Sequence, residues 1–187
     1  MARNRALENE NIKKLYENLG LESLYEKQYP DTKYCIFISH KHEDKKAAEV
    51  IADFIMNKAN IDVYLDNRDN GLQQAVKEGN DKKIVECIER GIARSTHILC
   101  LVSDYTKNSW WVPYEIGYSK KAKVSINSLI LKNTNDIPSF LKIEKIYPGF
   151  KSLYSFLKEI STNLEKDFYE IDYFIKYRIE EYLEWYK

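Results

Sequence analysis

The feature that most constrains the fold of this sequence is a series of short, mostly apolar runs separated by stretches with helical spacing. Four runs indicate strands, at 34–38, 61–65, 97–102 and 125–131, and a shorter fifth lies at 143–147. Runs of this length suit parallel strands buried on both faces. Because helical stretches lie between most of them, the pattern predicts right-handed β-α-β crossovers and an α/β fold around a parallel sheet.

The stretches between the strands carry apolar residues three and four positions apart, as expected for helices packed on a sheet. Asp44 opens the first of these helices, and Asp81 can cap the second. Residues 67–80 differ because they are polar and contain Asp69-Asn70-Gly71. We interpret them as a long loop, which in a compact domain is more often functional than accidental.

Both ends of the chain add amphipathic stretches outside the alternating pattern. Residues 6–28 carry leucines at rough helical spacing, and residues 168–186 carry a longer apolar stripe. So many apolar side chains favour packing over exposure to water. The sequence therefore predicts an N-terminal helical extension at 1–30, a central domain at 31–165, and a C-terminal amphipathic helix at 166–187 packed on that domain.

Composition and charge exclude several classes of protein. Lys plus Arg and Asp plus Glu both number 29, so the net charge is zero and no broad surface for nucleic acid is expected. No apolar run is long enough to span a membrane, and the first residues contain no apolar signal core, so we expect a cytoplasmic protein. Cys35, Cys87 and Cys100 lie in apolar patterns without a C-x-x-C pair, which indicates buried small side chains.

Polar side chains follow several strands at the point where each strand ends. Ser39-His40 follow the first strand, Asp66 ends the second, and Glu115 lies beyond a short loop after the third. Because the carboxyl ends of parallel strands share one edge, we expect these side chains to meet around one cleft, where ligands bind in open α/β sheets. Flat apolar side chains would line the same cleft: Phe37, Trp110, Trp111 and Tyr114.

The sequence Trp-Trp-Val-Pro-Tyr-Glu, which ends at Glu115, places a carboxylate one turn inside a helix. Pro113 fits the first turn of that helix, and Asn108 or Ser109 can cap it. Trp111 and Glu115 are four positions apart and share one face. In a purely structural interpretation, Trp111 packs the helix onto the sheet and Glu115 pairs with a surface lysine.

In a functional interpretation, a carboxylate beside aromatic walls suits cleavage of a glycosidic bond to a good leaving group. The carboxylate stabilises an oxocarbenium-like ribosyl centre or holds the ribose hydroxyls, and the rings stack on a planar base. Other chemistries fit less well, because neither G-x-G-x-x-G nor G-x-x-x-x-G-K-[ST] occurs. His40 and His42 share one loop far along the chain from His97, which does not favour a metal site.

Three motifs in order resemble those of TIR (Toll/interleukin-1 receptor) domains. They are Phe37-Ile38-Ser39-His40 with Glu43-Asp44, the segment Asp62-Val63-Tyr64-Leu65-Asp66, and Trp111-Val112-Pro113-Tyr114-Glu115. The last matches the W-x-x-x-E pattern of TIR domains that consume NAD, and the order of elements agrees over about residues 31–165. The loop after the second strand lacks the Pro-Gly of signalling-adaptor members, and no clear Phe-Trp box lies near the last helix. The resemblance is therefore to the enzymatic type.

This resemblance implies a flavodoxin-like three-layer fold with five parallel strands, and Glu115 as the catalytic glutamate of NAD glycohydrolysis or cyclisation. It implies a nicotinamide-ribose pocket lined by Phe37, Ser39, His40 and Trp111. We add Asp66 to the substrate-binding residues from its position, although it could equally cap its loop or hold a partner surface. NAD is then the substrate, and no separate cofactor or metal is expected.

A short TIR protein with extra terminal helices is similar to the TIR subunits of bacterial anti-phage systems such as Thoeris. Those subunits make an ADP-ribose-derived signal that reaches a partner effector by diffusion. The resemblance thus implies an NAD-cleaving enzyme of antiviral defence that self-associates through TIR surfaces, with a linear, cyclic or conjugated product. The alternative is a non-catalytic TIR scaffold or nucleotide sensor that acts by assembly.

Overall fold

A five-stranded, all-parallel sheet forms the centre of the protein, as the sequence predicts. The computed structural model describes residues 14–21, 24, 34–161, 164 and 168–187. The strands are β1 (Cys35–Ser39), β2 (Asp62–Tyr64), β3 (His97–Val102), β4 (Ser125–Ile130) and β5 (Lys145–Tyr147), in the order β2-β1-β3-β4-β5. This is the flavodoxin-like order, and the predicted α/β fold is confirmed.

Helices cover both faces of the sheet and give the three layers. One face packs against α1 (Lys45–Lys58) and α5 (Phe150–Ile160), and we call this packing the back core. The other face packs against α2 (Asn70–Lys77), α3 (Asp81–Ala93) and α4 (Trp111–Lys121), and we call it the front core. Within the described part of the chain, no helix is both long enough and apolar enough to cross a membrane.

The central strands are apolar throughout because both of their faces are covered. In β3, Leu99 and Leu101 belong to the back core, whereas Ile98, Cys100 and Val102 belong to the front core. All five side chains are buried. This alternation within one apolar run is the arrangement that a doubly covered parallel strand requires.

The prediction of a long loop at 67–80 is wrong, because most of that segment is helical. Asp69 caps α2 by accepting hydrogen bonds from the backbone N–H groups of Gly71 at 2.9 Å and Leu72 at 3.1 Å. The short helix then buries Leu72 and Ala75 in the front core. A capping carboxylate and two buried positions outweigh the polar composition of the segment.

The start of α3 also differs from the prediction by one residue. Asn80, not Asp81, is the cap, because the Asn80 side-chain oxygen accepts a hydrogen bond from the backbone N–H of Lys83 at 3.1 Å. Asp81 is instead the first residue of the helix, where its charge complements the helix dipole.

The C-terminal segment packs on the domain but contains a shorter helix than the continuous stripe at 168–186 predicts. Helix α6 covers only Tyr173–Glu180, after a 3₁₀ turn at Phe168–Glu170. Four side chains join the back core: Phe168, Ile179, Leu183 and Trp185. Backbone hydrogen bonds from the first turn of α5 to the carbonyls of Glu184, Trp185 and Lys187 hold the final residues in place, so the helix gives way to a series of turns.

At the N-terminal end, the described residues 14–18 are helical, and Leu15 and Leu19 are exposed. Most of the extension at 1–30, including its predicted packing, lies outside the described residues. The division of the chain at residues 30 and 165 stays a prediction.

Candidate functional site

The candidate site lies where the strand order reverses, at the carboxyl ends of β1 and β3. The chain runs from β1 to β2 on one side and reaches β3 on the other. Connections diverge from such a point, which leaves a crevice at the sheet edge. Ser39 is the last residue of β1, and His40 follows it directly.

Helix α4 carries Glu115 into this crevice. The N-cap position is Trp110, not the predicted Asn108 or Ser109, but the Ser109 hydroxyl just before it accepts a hydrogen bond from the backbone N–H of Val112 at 3.2 Å. Pro113 occupies the first turn, where no N–H is needed. One turn further, Glu115 points to the sheet and keeps only 7% of its surface exposed.

Glu115 and Ser39 make direct contact, although they are 76 positions apart in the sequence. The Ser39 hydroxyl donates a hydrogen bond to Glu115 Oε2 at 2.5 Å, and both residues are buried. The predicted alternative, an ion pair between Glu115 and a surface lysine, does not occur among the described residues. A neutral hydroxyl does not compensate the charge of a buried carboxylate, so burial opposes the ionisation of Glu115.

Burial has a large effect on the acidity of Glu115. The pKa of Glu115 is raised from 4.5 to about 8, chiefly because burial removes the carboxylate from water; the hydrogen bond from Ser39 lowers the pKa, and the nearby Asp66 carboxylate raises it. Cys100, the register partner of Ser39 on β3, is fully buried, and its pKa is raised first by burial and then by the charge of Glu115. The thiol is therefore a neutral neighbour of the carboxylate.

His40 and Asp66 form a second pair at the same edge. His40 Nε2 lies 3.7 Å from Asp66 Oδ1, and the imidazole is almost fully buried. Asp66 Oδ1 also accepts a hydrogen bond from the backbone N–H of Asn67 at 2.6 Å, at the start of the 3₁₀ turn Asp66–Arg68. Asp66 thus caps its own turn and also contacts His40, and its assignment to the substrate remains a prediction.

Of the four aromatic residues predicted at the cleft, Phe37 and Trp111, which the resemblance also places in the pocket, occupy different environments. Trp111 is 41% exposed and stands perpendicular to Tyr114, with ring centroids 6.1 Å apart. Phe37 is only 1% exposed and stacks on Tyr64 at 4.9 Å inside the front core. Trp111 is therefore accessible from solvent, whereas Phe37 packs inside the front core, and the place of each in the substrate pocket stays a prediction.

One buried pair at this edge is not singled out by the sequence patterns. The Ser103 hydroxyl donates to Asp44 Oδ2 at 2.6 Å and so links the ends of β1 and β3. Burial raises the pKa of Asp44, although Ser103 and His40 both lower it. The position of each residue shortly after a strand could have indicated this pair in the sequence. However, Asp44 fits a helix start and Ser103 fits a turn equally well. No group of three or more potential ligands in the described ranges is arranged to hold a metal ion.

Comparison with known protein families agrees with this architecture. The model of the family "Thoeris protein ThsB, TIR-like domain" matches residues 37–136, which is more than half of the chain. The matched region contains the whole site, from Ser39 to Glu115. No curated protein matches the sequence. The chain therefore belongs to the family of TIR-like domains of the Thoeris anti-phage defence protein ThsB.

Proposed function

We propose that this protein cleaves the bond between nicotinamide and ribose in NAD, with Glu115 as the catalytic residue. The observation that carries the proposal is the buried carboxylate of Glu115, held by Ser39 at the point where the strand order reverses. Ligands of doubly wound sheets bind at this place. The exposed ring of Trp111, one helical turn before Glu115, offers a flat surface beside the carboxylate.

The reaction needs a negative charge close to the sugar. As the bond from C1′ to the nicotinamide nitrogen breaks, its electron pair leaves with nicotinamide, and positive charge develops on the ribosyl carbon and ring oxygen. The Glu115 carboxylate stabilises that charge, in a site with little water to screen it. Water or another nucleophile then attacks C1′ and loses its proton, which gives ADP-ribose or a cyclic or conjugated derivative.

The high pKa of Glu115 sets how the site responds to pH. With a pKa of about 8, most of the free enzyme carries a neutral Glu115 at neutral pH, and the ionised fraction grows as pH rises. The nicotinamide ring of NAD is cationic, so its arrival favours ionisation of the carboxylate beside it. We expect the turnover of limiting NAD to increase from pH 6 to pH 9.

The family to which the chain belongs supports a signalling role for the product. We infer that an ADP-ribose-derived molecule leaves the site and acts on a separate effector in anti-phage defence. Self-association through exposed surfaces is part of the same proposal. Exposed aromatic side chains support it: Trp110 beside the site and Tyr173, Phe174 and Tyr177 on α6.

The test compares Glu115→Gln with the wild-type protein for release of nicotinamide from NAD. Gln keeps the size of Glu and can still accept the hydrogen bond from Ser39, but it cannot carry the charge. We expect a loss of roughly a hundredfold to a thousandfold in turnover, as is typical when one charge-stabilising group is removed. Glu86→Gln is the matched control, because Glu86 is an exposed glutamate on α3 that pairs with Lys83, and it should keep full activity.

Two results would separate this proposal from its alternative, a non-catalytic scaffold or sensor. Near-normal turnover in Glu115→Gln would remove Glu115 from the chemistry. If the wild-type protein releases no nicotinamide, either alone or when concentrated enough to assemble, while it binds NAD or itself, the scaffold or sensor function is correct.

A further inference from the structure

A row of small side chains crosses the front face of the sheet at the level of Glu115. Ser39 on β1, Cys100 on β3 and Ser128 on β4 are register partners, and all are buried. Two positions earlier on these strands stand the larger residues Phe37, Ile98 and Ile126. The row is therefore a notch in an otherwise bulky surface, and it leaves room for the Glu115 side chain to reach the sheet from α4.

Within this row, Ser39 alone is hydrogen-bonded to the carboxylate. Its hydroxyl is 2.5 Å from Glu115 Oε2. The Ser128 hydroxyl, two strands away, is buried and has no hydrogen-bond partner in the part of the chain that the structure describes. Glu115 Oε1 likewise makes no hydrogen bond to any described residue. Among the described residues, one oxygen of the carboxylate is thus fixed and the other makes no hydrogen bond.

We propose that Ser39 is a positioning residue for the reaction proposed above, on which this inference rests: its hydroxyl fixes Oε2 of Glu115, keeps the carboxylate ionisable in a buried place, and leaves Oε1 for the sugar. Ser39 then acts through Glu115 and does not need to touch NAD. This differs from the role of Ser39 that the sequence resemblance implies, in which it lines the nicotinamide-ribose pocket.

The electrostatic surroundings explain why such a donor is needed. The titratable groups that act on Glu115 are Asp66 after β2 and Cys100 on β3; His40 lies beside Asp66, and the charge of Asp44 also acts on Cys100. Burial and Asp66 both oppose the charge on Glu115, whereas Ser39 favours it. A hydroxyl donates to an ionised carboxylate more strongly than to a neutral one, so loss of Ser39 should leave Glu115 protonated over a wider range of pH.

The first measurement follows the ionisation of Glu115 directly and needs no catalysis. The infrared band of the Glu115 carboxyl group is identified by its loss in Glu115→Gln. The intensity of this band is then followed as a function of pH in the wild type, Ser39→Ala, Ser39→Cys and Ser128→Ala. We expect the midpoint to rise by about one to two pH units in Ser39→Ala, because a hydrogen bond to a charged group is lost. Ser39→Cys, with a weaker donor of similar size, should lie between Ser39→Ala and the wild type.

Ser128→Ala is the matched control, because it removes the same hydroxyl from the same face of the sheet without removing a hydrogen bond. Its midpoint should equal that of the wild type. An unchanged midpoint in Ser39→Ala, or an equal shift in Ser128→Ala, would overturn the proposal. Circular dichroism of each variant confirms that the comparison is made between folded proteins.

The second measurement is the pH profile of nicotinamide release. In Ser39→Ala, turnover at pH 7 should fall roughly tenfold to a hundredfold and recover as the pH rises, in step with the shifted midpoint. A role in contacting NAD predicts instead a raised KM with an unmoved profile, which would contradict the positioning role. If the wild-type protein releases no nicotinamide while the infrared shift is present, the proposed function fails, and Ser39 affects only the ionisation of Glu115.

Discussion

The raised pKa of Glu115 predicts that this residue destabilises the folded protein as the pH rises. In the unfolded chain, Glu115 ionises near its ordinary value of 4.5, whereas in the folded protein its pKa is about 8. Between these values, the folded state binds the proton more tightly than the unfolded state. The contribution of Glu115 to the free energy of unfolding therefore decreases as pH rises through this window and levels off about one unit above the folded pKa.

The magnitude follows from the width of the window. A shift from 4.5 to about 8 corresponds to about 5 kcal/mol between the fully protonated and the fully ionised limits, of which about 4 kcal/mol falls between pH 5 and pH 9. Glu115→Gln removes this term because Gln stays neutral at every pH. At pH 5 the two proteins should therefore have nearly equal stability, whereas at pH 9 the variant should be more stable by about 4 kcal/mol.

Thermal unfolding at a series of pH values measures this difference. For a chain of this size, about 4 kcal/mol corresponds to roughly 8–16 °C in Tm. The quantity to plot against pH is the Tm of Glu115→Gln minus that of the wild type, because the effects of the other titrating groups cancel in this difference. Glu86→Gln serves as the control, and its Tm difference from the wild type should not change with pH. A flat difference for Glu115→Gln between pH 5 and pH 9 would refute the reasoning, because the carboxyl would then titrate normally in the folded protein.

Two glycines give further predictions. A Cβ on Gly91 would lie 2.6–2.8 Å from the Tyr64 ring, so Gly91→Ala should destabilise the fold by about 1–3 kcal/mol in chemical denaturation. The control is Gly117→Ala on α4, where no atom lies within 4 Å, and a destabilisation of equal size there would contradict the packing argument. A Cβ on Gly149 would collide with the carbonyl oxygen of Glu184. Gly149→Ala should therefore release the final residues and speed their amide exchange while the sheet stays protected, and unchanged exchange would show that the contact can relax.

The order in which elements alternate was sufficient to predict the sheet. Runs such as 34–38 and 97–102 are apolar on both faces, and a strand of that kind is stable only inside a covered parallel sheet. The segment at 67–80 shows where this reasoning fails. Its average composition is polar, and its helix depends on one capping side chain, Asp69, that also accepts a hydrogen bond from Tyr64 at 2.8 Å. Such a contact is tertiary, and composition does not report it.

Parallel strands place all their carboxyl ends together, so the sequence alone is sufficient to predict that Ser39, Asp66 and Glu115 lie at one edge of the sheet. Which of these side chains touch one another, and which face water, depends on how the helices pack on the sheet. Phe37 and Trp111 look alike in the sequence as aromatic neighbours of the site, yet one is buried and the other exposed. The bond from Ser39 to Glu115, and the burial that makes Glu115 a weak acid, arise from the way α4 packs on the sheet, which no local pattern encodes.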